Sequence, residues 1–327
     1  MTDSSSALIV RLDALGDTLA LAPLLLALRE AGVPTDLVLS PTARDLFAPD
    51  AIRRTFVAPF AQRDESAANR AAIAAFASEL QPNRYSHVLV ATEDPAGYRL
   101  AAALRAPHRI GFQNGWGKPL KTLWVRSLLT QAIYRSAGLD PRAPHECEVL
   151  FSLGASLLTS EARPTHDAAA LRNLILTRET SPPRGIAVQL TSKWERLGMT
   201  VTEVRTFLDR ANARFEAIRL FAPLAEREQI SALAEGLGGI EWFAELQPWI
   251  AAIAESEVLV APDSGAIHVA GMLGTPCVAV FQTRPDFELQ QARWRPWAAP
   301  CEVVRGTGAW SSAAADALVQ LDSSRSA

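Results

Sequence analysis

Long apolar runs are missing from this sequence. Although 49% of its 327 residues are hydrophobic, no segment approaches the roughly 20 apolar residues that a membrane-spanning helix needs. The opening MTDSSSALIV has neither the basic start nor the long apolar core of a secretory leader. A cytoplasmic protein is therefore the expectation. Cysteine is scarce: Cys147, Cys277 and Cys301 are widely spaced and form no CxxC pair, so neither a disulfide framework nor a zinc site is indicated. Small buried side chains are their expected role. A net charge of −3 gives no global signature of nucleic-acid binding.

Several phosphate motifs are absent as well. No GxGxxG follows the first apolar run, which removes the dinucleotide fingerprint. The stretch GFQNGWGKP (Gly111 to Pro119) fails as a P-loop, with Phe112 where the first glycine belongs and Pro119 where a hydroxyl would hold magnesium. No DxD pair occurs to bridge a metal to a nucleotide sugar. Lysine is nearly absent: Lys118, Lys121 and Lys193 are the only three among 32 basic residues. Where arginine is the general-purpose cation, a lysine marks a place suited to a compact charge.

What is present is an α/β rhythm. The clearest unit runs from Val258 to Phe281, VLVAPDSGAIHVAGMLGTPCVAVF. An apolar run, a turn at Pro262, a helical stretch of small residues, the Gly274-Thr275-Pro276 turn and a second apolar run make a βαβ unit. Ligands of parallel sheets sit beyond the carboxyl ends of the strands, where Asp263-Ser264-Gly265 falls. A helix starting near Ser264 presents unpaired amides and a positive dipole end to a phosphate, and Gly265 permits close approach. Asp263 has two readings, N-cap of that helix or acceptor of hydrogen bonds from sugar hydroxyls. His268, one turn on, shares that face, and spacing favours a packed, hydrogen-bonded histidine.

The chain is long enough for two domains. In the first half, strand Ala7 to Leu12 leads through Asp13-Ala14-Leu15-Gly16-Asp17 into a predicted helix from Thr18 to Ala31, closed by Gly32. Asp17 reads as an N-cap or as a general base facing an interdomain cleft. Further strands are expected near Asp36, Thr55, His87 and Arg109, with helices at Ala67 to Leu80 and Gly97 to Leu104. From Pro95 to Leu139 there is no acidic residue, while Arg99, Arg105, Arg109, Lys118, Lys121, Arg126 and Arg135 lie among five aromatics. Such a stretch attracts phosphates, an anionic saccharide or a membrane interface, unless it is a solvated helix face.

Residues 159–184, with Pro182-Pro183, read as the crossing between domains, carrying one helix at Ala168 to Thr177. Strand Ile186 to Leu190 is followed by Thr191-Ser192-Lys193-Trp194, where two hydroxyls and an ammonium suit a diphosphate. An exposed loop lysine is the alternative. Helices at Thr202 to Asn212, Glu226 to Gly236 and Leu246 to Glu255 alternate with strands at Ala217 and Ile240 before the βαβ unit. A strand at Glu302 and a helix at Ala313 to Leu321 finish the chain.

Three stretches in this order, ALIVRLDALGDTLALAPLLLALREAG, QLTSKW and APDSGAIHVAGMLGTPCVAVF, resemble the heptosyltransferases of glycosyltransferase family nine. RIGF at Arg109 to Phe112 and the segment from His145 to Gly154 fit the same layout. The resemblance implies a GT-B fold: two Rossmann-like domains, 1–158 for the acceptor and 185–327 for the donor, with parallel sheets facing a cleft. The last helix is a candidate to pack back on the first domain. It implies inverting transfer of heptose from ADP-heptose to a phosphorylated glycolipid of the lipopolysaccharide core, at the inner face of a bacterial membrane. No protein-bound metal, cofactor or nucleic acid is implied. By motif position Asp17 would be the base, with Thr191, Ser192, Lys193, Asp263, Ser264, Gly265 and His268 on the donor. Arg109, Lys118 and Lys121 are the candidate acceptor contacts. Gln282-Thr283-Arg284-Pro285 replaces the family's usual Gly-Pro-Thr turn. Other readings are a GT-B transferase with another nucleotide sugar and a non-catalytic nucleotide or glycan binder.

Overall fold

A computed structural model describes residues 5–50, 52–136, 144–215 and 217–325. The first four residues, 1–4, and the end of the basic stretch, 137–139, lie outside them. The chain divides into two compact units, Met1–Thr165 and His166–Ala327.

The first unit runs β1 (Ala7–Arg11), α1 (Leu15–Leu19), α2 (Ala22–Glu30), β2 (Thr35–Leu39), β3 (Arg54–Val57), α3 (Ala67–Leu80), β4 (His87–Val90), α4 (Pro95–Leu104), β5 (His108–Gln113), α5 (Pro119–Leu128), β6 (Gln131–Tyr134) and α6 (Glu146–Phe151). All six strands are parallel, in the order β3-β2-β1-β4-β5-β6. Central strands are apolar on both faces because helices cover both. Thus every residue of β1, β2 and β4 is buried. Leu8, Val10, Val88 and Val90 carry one core beneath α3 and α4. Ser66 and Asp94 cap those helices through bonds to the amides of Asn69 and Ala96.

The helix expected from Thr18 to Ala31 is two helices, broken at Ala20-Leu21. Pro23 at the start of α2 explains this: it has no amide to donate, and its ring conflicts with the carbonyl of a continuous preceding turn. Asp17 is therefore not an N-cap. Ala14 holds that place, and Asp17 lies inside α1.

The second unit runs α7 (Ala168–Ile175), β7 (Ile186–Gln189), α8 (Lys193–Arg196), α9 (Val201–Asn212), β8 (Ile218–Pro223), α10 (Ser231–Ala234), β9 (Ile240–Phe243), α11 (Leu246–Ala254), β10 (Val258–Pro262), α12 (Gly265–Leu273), β11 (Cys277–Gln282), α13 (Phe287–Trp294), β12 (Cys301–Gly306) and α14 (Trp310–Arg325). Its strands are also all parallel, in the order β12-β11-β10-β7-β8-β9. Counted from its own first strand, this is the order of the first unit. α14 packs on α9, β10, β11 and β12 of its own unit. The helix expected from Glu226 to Gly236 shrinks to a 3-10 turn at Leu224–Glu226 and the single turn of α10. Gly274 closes α12 in the left-handed conformation, φ +72°, which a side chain would strain.

Candidate active site

Each sheet reverses its direction of growth once, between β1 and β4 in the first unit and between β7 and β10 in the second. At such a point the loops leaving the two strands diverge to opposite faces and open a crevice at the carboxyl ends. Asp17 and Glu93 follow the two strands of the first switch point. Lys193 and Asp263 follow those of the second.

In the first unit the loop Asp13 to Asp17 is held from below by Arg11, the last residue of β1 and only 2% exposed. Its guanidinium donates to the carbonyls of Ala91 and of Asp17, the latter at 2.8 Å, and lies 3.4 Å from the Asp13 carboxylate. Thr18 donates to the Ala14 carbonyl (3.0 Å) and Ser40 to the Asp13 carbonyl (3.2 Å). Asp17 is half-buried on this pinned backbone.

Behind Arg11 runs a chain of alternating charge. Arg11 is 3.9 Å from Glu146, which is fully buried, and Arg135 is 3.1 Å from the same carboxylate. Arg135 lies 3.6 Å from Glu93, and Glu93 accepts from Lys121 at 2.8 Å with Lys118 at 3.7 Å. Burial alone would raise the Glu93 carboxyl, but the Lys121 bond and charge, Arg135 and Asn114 outweigh it and hold it at about 2. Lys118 and Lys121 thus join the Asp17 edge of the sheet. Arg109 does not: it stands near the start of β5, at the other end of the sheet, and donates to the carbonyls of Leu128 (2.9 Å) and Ala106 (2.7 Å). Its guanidinium ties β5 to the end of α5.

In the second unit the turn after β7 is anchored by Trp194. Its ring is buried and stacked on Trp310, and its indole donates to the Gln189 carbonyl at 2.8 Å. Lys193 Nζ reaches across to the Asp263 carbonyl at 3.2 Å, so the two switch-point loops meet. Ser264 is the N-cap of α12, displacing Asp263 from that reading, yet its side chain makes no cap bond. Its hydroxyl is buried, in a residue 8% exposed, and has no hydrogen-bond partner among the described residues. A buried hydroxyl at a nine-residue helix's N-terminus, beside an ammonium, is placed for an anion. Gly265 opens the helix. His268 packs edge-on against Trp294, ring centres 5.9 Å apart.

Thr191 and Ser192 are differently engaged. The Thr191 hydroxyl donates to Glu226 at 2.9 Å, the Ser192 amide donates to the same oxygen at 2.7 Å, and Ser192 Oγ accepts from Arg196. Burial would raise the Glu226 carboxyl, but these bonds hold it below its ordinary value. The Thr191 hydroxyl is committed to Glu226, and the Ser192 hydroxyl bonds to the same carboxylate. Arg11, Glu146 and Glu226 were not singled out by sequence reasoning. The available signal for Arg11 was a cation at the end of an otherwise apolar strand.

No family model matches this sequence, and neither does any curated protein. Solved structures do match. A glycosyl transferase family 9 structure from Veillonella parvula superposes with a TM-score of 0.69 at 17% identity, covering 93% of this chain and 86% of its own. E. coli ADP-heptose lps heptosyltransferase II gives 0.71 at 16% identity, covering 98% and 100%. The fold is GT-B. E. coli heptosyltransferase WaaC with ADP-2-deoxy-2-fluoro heptose gives 0.67 at 19% identity, covering 98% and 99%. At these identities the likeness carries the GT-B fold, and the chemistry rests on this chain's own side chains.

Proposed function

We propose that this chain is an inverting glycosyltransferase that moves a heptose from ADP-heptose to a hydroxyl of a phosphorylated glycolipid of the lipopolysaccharide core type. The observation that carries the reading is the meeting of Lys193 with Asp263 beside the unpartnered Ser264 hydroxyl at the head of α12. In this scheme the second unit holds the donor. The Lys193 ammonium and the first amides of α12 bind the diphosphate, Ser264 donates to its oxygens with Thr191 and Ser192 shaping the turn that carries Lys193, and Asp263 accepts from the sugar. His268 supports that helix from behind through Trp294.

The first unit holds the acceptor, with Lys118 and Lys121 on its phosphates. Asp17 takes the proton of the acceptor hydroxyl as that oxygen attacks the anomeric carbon. The bond from that carbon to the diphosphate breaks, and its electron pair leaves with ADP. The charge that grows there is offset by Lys193 and the helix terminus. An acceptor oxygen that attacks one face of the anomeric carbon as the diphosphate leaves from the other gives inversion, and the scheme uses no metal.

Calorimetric titration tests the donor: ADP and ADP-heptose are expected to bind in the presence of EDTA and UDP not to. Preference for UDP, or loss of binding with EDTA, would overturn the donor assignment. Asp17→Asn is expected to abolish transfer while ADP binding is kept, since a base contributes to the transition state and not to nucleotide affinity. Retention of most activity would sink Asp17 as the base.

A further inference from the structure

The most exposed large apolar side chains of the first unit are gathered in one place. Trp116, Leu120 and Leu123 are 95%, 82% and 68% exposed. They lie on the 3-10 turn Gly115–Gly117 and the first two turns of α5. The inward stripe of α5 is Thr122 and Val125, both buried. Leu120 and Leu123 instead fall on the outward stripe with Arg126 and Ser127. Tyr134, 64% exposed, joins them: its ring lies beside Gly115, where an added Cβ would come within 3.1 Å of it. Leucines turned outward on the helix that follows a bare indole mark an interaction surface.

Its composition identifies the partner. No acidic residue occurs from Pro95 to Leu139, and Lys118 and Arg126 are exposed within the patch. Glu93, which reaches this region, is shared by Lys118, Lys121 and Arg135, so cationic charge is left over. Indole and phenol rings over leucines, rimmed by lysine and arginine, are what seats at the boundary of lipid headgroups and acyl chains. No helix among the described residues is long and apolar enough to cross a membrane, so the contact is a surface one.

We propose that the Trp116 to Leu123 face docks on an anionic lipid bilayer. Trp116, Leu120 and Leu123 enter the headgroup boundary, and Arg126 meets the lipid phosphates. The proposal goes beyond glycosyl transfer and needs neither donor nor acceptor, so it can fail or stand independently of that reading.

Cosedimentation of the full chain with vesicles of phosphatidylcholine and phosphatidylglycerol, two to one, tests it against vesicles of phosphatidylcholine alone. Binding to the mixed vesicles is expected to weaken by roughly fivefold for each interfacial cation removed and to fall with salt. The variant Trp116→Ser/Leu120→Ser/Leu123→Ser is expected to bind at least about tenfold more weakly, with an unchanged thermal transition because all three side chains are exposed. Brominated lipids are expected to quench wild-type fluorescence more than that of Trp116→Phe, a readout that needs no triple variant. A wild-type chain that stays in the supernatant, a triple variant that binds equally well, or binding indifferent to phosphatidylglycerol would overturn the proposal. So would a triple variant that loses self-association in light scattering while keeping its vesicle binding, since the surface would then belong to a second copy.

Discussion

Replacing Glu146 with glutamine probes the charge chain under Asp17 directly. The Glu146 side chain is fully buried, 3.1 Å from Arg135 and 3.9 Å from Arg11. At an effective dielectric near 20 these contacts are worth about 5 and about 4 kcal/mol gross. Glutamine abolishes both attractions, spares the cost of burying a carboxylate and keeps one acceptor oxygen. The net loss should be about 3 kcal/mol, the low end for breaking a buried pair. For a unit the size of Met1–Thr165, each kcal/mol shifts the melting point by roughly 2–4 °C. The first unit's transition is therefore expected to fall by roughly 6–12 °C in scanning calorimetry. Transfer should drop further than stability explains, because Arg11 loses an anchor while holding the Asp17 carbonyl. That part of the effect appears in kcat with ADP affinity unchanged. A stability loss under about 1 kcal/mol would refute the reasoning, since Arg11 and Arg135 would then be compensated without Glu146.

Lys193→Ala should weaken ADP binding by about 10- to 150-fold, the worth of a charge-assisted bond, and leave the melting point alone; calorimetric titration checks both. Gly271→Ala should cost the second unit about 1–3 kcal/mol in urea unfolding, because the new Cβ would come within 2.7 Å of the Trp297 amide nitrogen. The Glu93 carboxyl is held at about 2 against an ordinary 4.5, so its stabilisation is complete above pH 4.5 and lost as pH falls toward 2. Glu93→Gln should flatten the acid limb of the stability curve over that range. Asp36 adds in the same direction: burial opposes ionisation, but bonds from Arg53 and Tyr85 lower its carboxyl. A residual slope in Glu93→Gln is therefore expected, and an unchanged one would show that Glu93 contributes nothing.

Buried parallel strands announce themselves as short apolar runs, which is why β1 and β10 fall within a residue or two of where periodicity puts them. The β6 strand, Gln131–Tyr134, has no fully buried residue, so QAIY carries no such run. The turn before α5 reads like a failed phosphate loop, and α5 buries only Thr122 and Val125, too narrow an apolar stripe to announce a helix. The two switch-point loops were readable because acids, hydroxyls and a rare lysine stood just past strand ends. Arg11 and Glu146 were not, since what makes them matter is a pairing between residues 135 positions apart in the chain. Arg109 is the reverse case: a cation in a cationic stretch reads as available, whereas its guanidinium is held by two carbonyls near the start of β5.

The placement of β1 at the centre of its sheet bears on how the chain is made. Its partners are β2 and, eighty residues on, β4, with Ala7 paired to His87. No hairpin can nucleate such a sheet, and long loops must close before the central pairing is rewarded. During synthesis at about 5–20 residues per second, β1 waits on the order of 4–16 s for β4 to emerge. For that interval its buried-to-be run Ala7–Val10 stands open to wrong partners, and β7, whose Ile186 pairs with Val258 of β10, faces a similar wait, so a slowed ribosome or a missing chaperone should harm both units.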